Sequence, residues 1–154
     1  RSHLSSFLYP PCFALVFFLS SHSRSPSGFF PCIPFHHGSF SHATLLRFFP
    51  VPVLDVAVDL RTGSPTFVLY VSVDFSEDSH TQFFVPRGFA HGFVVLSEEA
   101  VFFYTCDNFY NKEADGGIID NDPDLTIDWQ LQPEELLFVE KDKTLTRLKD
   151  IVDN

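Results

Sequence analysis

From residue 53 onward the chain is cut into short runs that alternate apolar and other residues, separated by turn formers. A period of two puts successive side chains on opposite faces of a strand, so this pattern restricts the chain to antiparallel β architecture. Residues 53–60 set Val56, Val58 and Leu60 against Asp55, Ala57 and Asp59, which predicts a half-buried strand. A turn at residues 61–65 leads to a second predicted strand over 66–75, with Phe67, Leu69, Val71, Val73 and Phe75 on one face. Strands over 81–85, 89–96 and 100–106 follow, separated by Pro86-Arg87-Gly88 and Ser97-Glu98-Glu99. Short strands at this spacing with polar turns fit a sandwich or a barrel.

Within this region, V-P-R-G-F-A-H-G-F (residues 85–93) is the most informative stretch. Phe89, His91 and Phe93 share one face; Ala90, Gly92 and Val94 share the other. A lone histidine between two large aromatics suits a curved sheet lining a pocket, or a buried histidine with a structural partner. Beyond residue 106, residues 107–117 read as a long polar loop. Trp129 reads as a plug for an apolar hole, Pro133 and the two glutamates after it could open a short helix, and Leu145, Leu148 and Ile151 have helical spacing.

Composition changes sharply along the chain. Residues 1–54 contain no Asp, Glu or Lys, and all 20 acidic residues lie from Asp55 onward. The first third is rich in Phe, Ser, Pro and His. A signal peptide (Arg1, then the apolar residues 13–19) is opposed by Pro10-Pro11 and the lack of a small-residue cleavage site, and the apolar run is too short for a membrane span. The remaining reading is a drifted or frame-altered version of ordinary β structure: residues 1–52 form a divergent segment, a candidate for disorder, within one domain of 154 residues. The net charge of −10 argues against a nucleic-acid partner. Cys12, Cys32 and Cys106 are odd in number and lack zinc spacing, which fits a reduced, cytoplasmic protein with neither disulfide framework nor Cys metal site.

Five segments occur in order: V-A-V-D-L-R-T-G-S-P-T-F (56–67), F-V-P-R-G-F-A-H-G-F (84–93), F-Y-T-C-D-N-F-Y (103–110), D-P-D-L-T-I-D-W (122–129) and E-K-D-K (140–143). Together they resemble the dTDP-4-dehydrorhamnose 3,5-epimerase family of nucleotide-sugar biosynthesis. The resemblance implies an all-β, cupin-like antiparallel jelly-roll sandwich with short C-terminal helices. It also implies epimerisation of the two carbons flanking a sugar ketone, without cofactor or metal, by a cytoplasmic homodimer with no membrane partner. Such chemistry needs a base on one face, an acid on the other and a donor or cation near the enolate oxygen. In the family a His oriented by an Asp is the base, a Tyr the acid, and Lys and Arg hold the oxygen and phosphates.

Carried over by position, Tyr104 falls on the acid and Asp142 on the carboxylate that orients the base. His91, Tyr110, Lys141 and Arg47 fall on ligand-contacting positions, and Asp115 falls where the family commonly has Glu. Upstream, His22-Ser-Arg-Ser25 and Gly28 fit an H-S-R-S…G segment. The next element, an R-G-L-H-x-Q-like strand, reads Pro31-Cys-Ile-Pro-Phe-His36, so the base position holds Pro34, the Arg position Pro31 and the downstream Lys position Thr44. Two prolines in four residues oppose a central strand, and Pro34 cannot take a proton. His36 would face the same way as Pro34 about 6–7 Å further along. The alternatives are a non-catalytic sugar-nucleotide binding or scaffold domain, and a metal cupin using His36, His37, His42 and His91, whose spacing lacks the H-x-H and Glu common in metal cupins.

Overall fold

The computed structural model describes residues 19–30, 33–36, 38–48, 52–76, 81–132, 135, 137–138 and 146–152. Eleven strands are described: β1 (Leu19–Pro26), β2 (Phe29–Phe30), β3 (Ile33–His36), β4 (Thr44–Phe48), β5 (Val53–Asp59), β6 (Tyr70–Phe75), β7 (Phe83–Val85), β8 (Phe89–Val95), β9 (Glu99–Cys106), β10 (Asp115–Ile118) and β11 (Leu137–Phe138); one helix, α1 (Leu148–Val152), follows. One antiparallel sheet has the order β1-β9-β4-β7 and a second β6-β5-β8. Two further pairs are antiparallel β10-β3 and parallel β11-β2.

The two larger sheets face each other. Leu46, Val85 and Phe102 from the first pack with Val53, Ala57, Phe75, Phe93 and Val95 from the second. The rings of Phe93 and Phe102 meet edge to face at 4.7 Å, a favoured aromatic geometry. This is the antiparallel sandwich that the alternation predicts.

Strand β5 departs from its prediction. Every residue from Val53 to Asp59 is buried, where alternation indicated one wet face. Val53, Asp55 and Ala57 turn toward the first sheet, while Leu54, Val56 and Val58 pack on Ile33 and Phe35 of β3, Ile118 of β10, Leu125, Trp129 and Leu148. The β3–β10 pair and the segment after β10 thus form a third layer, covering the face that would otherwise meet water. Each fully buried Val or Leu here contributes about 1.5–3 kcal/mol relative to exposure. Trp129 plugs this layer as expected, with Nε1 donating to the Asp120 carbonyl at 3.1 Å.

Other boundaries also move. The strand expected over 66–75 begins only at Tyr70, because residues 65–68 form a turn wrapped around Asp59. The Ser64 and Thr66 hydroxyls each donate to Asp59 Oδ2 at 2.7 Å, and Arg61 grips the same carboxylate through Nε at 2.8 Å and Nη2 at 2.7 Å. Hydroxyls spent on a neighbouring carboxylate compete with strand pairing. Leu69 and Val71, expected with Phe75 on one face, are exposed. The polar loop expected over 107–117 ends in β10, which pairs Asp115 with His36 and Gly117 with Pro34. Glycine is needed at 116: a Cβ there would lie 2.8 Å from Cζ of Phe35. Pro34 is accommodated because β3 belongs to a two-stranded sheet, where edges tolerate a missing N–H. The helix expected near Pro133 falls largely outside the described residues; of the helical spacing expected over 144–152, residues 148–152 form α1, Thr146 bridges to Ile118 and Leu145 lies outside the described residues.

Candidate active site

A cavity of about 80 Å³ opens where β3, the segment before β4, β7 and β8 converge; its lining includes Pro34, His36, His42, Thr44 and His91. Its size is below the roughly 300–1,000 Å³ of a pocket for a whole small molecule, so it suits only the reacting end of a ligand. Three features build it. Pairing with β10 turns Ile33 and Phe35 into the core and leaves Pro34 and His36 half-buried toward the cavity. Thr44 and Val85 are paired across β4 and β7, so both project from the same sheet face. Alternation in β8 sends Phe89 and His91 inward, opposite Ala90 and Val94 in the third-layer core, as the nonapeptide reading expects.

His91 is held from behind. Its Nε2 lies 2.7 Å from Oδ1 of Asp55, whose side chain has no exposure, while the imidazole is 19% exposed. The register explains the contact: Ala57 pairs with His91 and Asp55 with Phe93, so Asp55 and His91 are diagonal neighbours on one face. Burial pushes the Asp55 carboxyl pKa up, opposed by the His91 charge and hydrogen bond. Asp55 Oδ2 is buried without a hydrogen bond among the described residues. A buried carboxylate with one satisfied oxygen costs stability, and such costs concentrate where chemistry needs them. With Nε2 donating to Asp55, Nδ1 is the ring nitrogen available to a ligand.

The segment carrying His42 is clamped on both sides. Ala43 N donates to Asp107 Oδ1 at 2.7 Å, and Arg87 Nη1 donates to the Ser41 carbonyl at 2.6 Å. Arg87 also bridges to Asp107 Oδ2 at 3.0 Å, and Gly88 N donates to Ser41 Oγ at 3.2 Å. His42 Nδ1 donates to the Phe40 carbonyl at 3.3 Å. Burial lowers the His42 pKa, with the nearby Arg87 and His91 acting in the same direction against the Phe40 bond and Asp107.

The residues singled out in the sequence occupy different places. His91 lines the cavity, as do Pro34 and Thr44, the positions matching the family's base and lysine. Tyr110 and Asp115 sit beyond His36: Tyr110 Oη donates to Asp115 Oδ2 at 2.9 Å, His36 Nε2 is 3.9 Å from Asp115 Oδ1, and the His36 and Tyr110 rings are 5.4 Å apart. The bond to Asp115 raises the Tyr110 pKa. Tyr104 pairs with Leu46, on the same sheet face as Thr44 but one pleat along, about 7 Å away. It joins the inter-sheet cluster, its ring stacked 5.9 Å from Phe102. Arg47 is exposed on the β4 face opposite Thr44. Lys141 and Asp142 lie outside the described residues. No group of three or more His, Cys, Asp or Glu side chains able to hold a metal occurs among the described residues; His37, one of the four histidines of the metal-cupin alternative, lies outside them. Sequence reasoning did not single out Asp55 as a site residue. Its position in an alternating strand looked solvent-facing, and the available signal was the two-residue offset from the partner of His91.

The dTDP-4-dehydrorhamnose 3,5-epimerase family profile matches residues 12–150. The enzyme of that name from Escherichia coli K12 is 38% identical over 140 residues, covering 91% of this chain and 75% of the relative. The Pseudomonas aeruginosa enzyme is 44% identical over 131 residues, covering 82% and 69%. Coverage of other relatives is lower, 64% for Shigella flexneri and 58% for Methanothermobacter thermautotrophicus. The crystal structure of the Elizabethkingia anophelis epimerase superposes with a TM-score of 0.85 at 44% identity, covering 88% of this chain and 74% of that one. A Legionella pneumophila 3,5-epimerase solved with dTDP-4-keto-L-rhamnose gives 0.83 at 37% identity, covering 89% and 72%. The sandwich is therefore a cupin-like jelly roll, and this chain belongs to the dTDP-4-dehydrorhamnose 3,5-epimerase family.

Proposed function

We propose that this protein binds a dTDP-4-keto-6-deoxy sugar and epimerises the carbons flanking its ketone, as the 3,5-epimerase step of dTDP-rhamnose biosynthesis. The observation that carries this reading is the imidazole of His91, backed by the fully buried Asp55 and presented to the cavity. A proton next to a ketone becomes removable only when charge developing on the oxygen is stabilised in place. The Asp55–His91 pair supports that role: Asp55 holds the ring through Nε2, and an imidazolium held in that way would present Nδ1–H to the enolate oxygen. Tyr104 is assigned as the acid that returns a proton on the far face. Tyr110 and Asp115 border the site, Lys141 is assigned as a neighbouring ligand contact and Asp142 as the carboxylate that orients the base; Arg47, on the β4 face away from Thr44, is given no contact in this cavity. The protein acts as a cytoplasmic homodimer and needs no cofactor.

A second reading rests on one observation. Pro34 occupies the base position and lines the cavity, and it cannot accept a proton. On that ground the chain would be a sugar-nucleotide binding domain without turnover. Incubation with dTDP-4-keto-6-deoxyglucose in D₂O separates the two. Deuterium appearing at the carbons flanking the ketone supports an epimerase. Binding of the nucleotide sugar without deuterium uptake supports the binding domain.

A further inference from the structure

We propose that His42, through its Nε2, is the general base of this protein, in place of the side chain missing at Pro34; the proposal rests on the reading of the cavity as a 4-keto-sugar site.

Three observations carry it. First, His42 lines the same cavity as Pro34 and His91, so a proton on a ligand carbon there is within reach of its ring. Second, its tautomer is fixed. A carbonyl oxygen can only accept, so the bond to Phe40 places the proton on Nδ1 and leaves the lone pair on Nε2, which makes no hydrogen bond among the described residues. Third, the ring is held in place. Asp107 and Arg87, themselves paired, fix the backbone on both sides of His42, and Asn108 Nδ2 donates to the Ser39 carbonyl at 2.9 Å. Positioned groups of this kind supply much of a proton-transfer barrier reduction.

The surroundings favour a neutral base. Burial above all disfavours the charged form of His42, with Arg87 and His91 acting the same way and the Phe40 bond and Asp107 acting against it; the His36 ring packs on it with centroids 4.5 Å apart. His36 is the weaker candidate because its side chain is only 9% exposed and is turned toward Asp115. In the step, the C–H bond next to the ketone breaks and the proton passes to Nε2. The electron pair forms the C=C bond while the carbonyl π pair moves to oxygen, facing His91. Reversal from Nε2–D in heavy water returns deuterium to the carbon. Only a proton and an electron pair are redistributed, so no oxidant or reductant is needed.

The test is solvent-deuterium exchange into dTDP-4-keto-6-deoxyglucose, followed by NMR, beside calorimetric titration with dTDP. Wild type, His42→Gln, His36→Gln and His42→Ala with added imidazole are compared. The expected result is exchange by wild type, a loss of at least 100-fold in His42→Gln with dTDP affinity unchanged, a smaller loss in His36→Gln, and partial recovery of His42→Ala by imidazole. Exchange surviving in His42→Gln, or lost only in His36→Gln, overturns the proposal. dTDP binding without exchange by wild type overturns it while leaving the ligand reading intact; absence of both removes the ligand reading as well. Should His42→Gln not fold, the wild-type pH profile decides. Exchange that falls on acidification with a midpoint below 6.5 supports a neutral His42 among His36, His91, Arg87, Asp107, Asp55 and Asp115. A midpoint at or above 6.5 overturns it.

Discussion

His91 Nε2 and Asp55 Oδ1 stand 2.7 Å apart, and the carboxylate is entirely shielded from water. Burial works against the charged form of Asp55, so this pair is maintained at a cost in stability. Replacing Asp55 with Asn keeps a hydrogen-bond acceptor for Nε2 and removes the buried charge. Asp55→Asn should therefore melt at the same temperature as wild type or higher at pH 7, while deuterium exchange into the keto sugar falls about 10²–10³-fold, the scale of losing one stabiliser of a developing oxyanion. A sharp fall in melting temperature with exchange retained would make the pair a structural element.

Asp59 is the opposite case. Its carboxylate is 1% exposed but fully engaged, by Arg61, Ser64 and Thr66, and the Arg61 hydrogen bonds above all hold its pKa below the ordinary carboxylate range. A depressed folded-state pKa stabilises the fold above the unfolded value near 3.9, and that contribution is lost as pH falls through and below it. Asp59→Asn should cost about 1–3 kcal/mol at pH 7, and the gap between variant and wild type should close as pH is lowered from 5 toward 2. Urea melts at three pH values measure this directly; a gap independent of pH would assign the loss to shape alone.

Gly88 follows Arg87 in the turn before β8, at φ +81°, where a Cβ would lie 2.6 Å from Cγ of Arg61. Arg61 is committed to Asp59 and lies over the Phe89 ring at 4.7 Å, so moving it disturbs two contacts. The left-handed backbone alone costs about 1–2 kcal/mol for a residue with a Cβ. Gly88→Ala should lose about 2–3 kcal/mol with an unchanged urea m-value. A loss under about 0.5 kcal/mol would show that Arg61 gives way freely.

What could be read from the sequence was what local rules determine. Alternation gave β8 and its inward His91, and turn residues marked Gly88. The status of β5 was hidden because a strand looks half-buried from its own residues; the third layer that covers it comes from Ile33, Ile118 and Trp129, distant in sequence. For the same reason Asp55 looked like a surface carboxylate. Of the site, His91 was legible through its motif. His42 was visible only as one of several histidines, because its place depends on Asp107 and Arg87, 65 and 45 residues further on.

That dependence yields the last expectation. Arg87 uses Nε and Nη2 on Asp107 Oδ2 and Nη1 on the Ser41 carbonyl, at 3.2, 3.0 and 2.6 Å. A lysine is a single point donor and cannot span both partners. Arg87 is half exposed, so Arg87→Lys should shift stability by less than about 1 kcal/mol. With the Ser41 carbonyl released, the His42 ring would no longer be fixed against the reacting carbon, and misplacement on that scale costs about 10–100-fold in rate. The signature of positioning is a fall in maximal exchange rate with the half-saturating sugar concentration and dTDP affinity unchanged. If the half-saturating concentration rises while the maximal rate is kept, Arg87 serves ligand binding and the clamp on His42 is not what sets the rate.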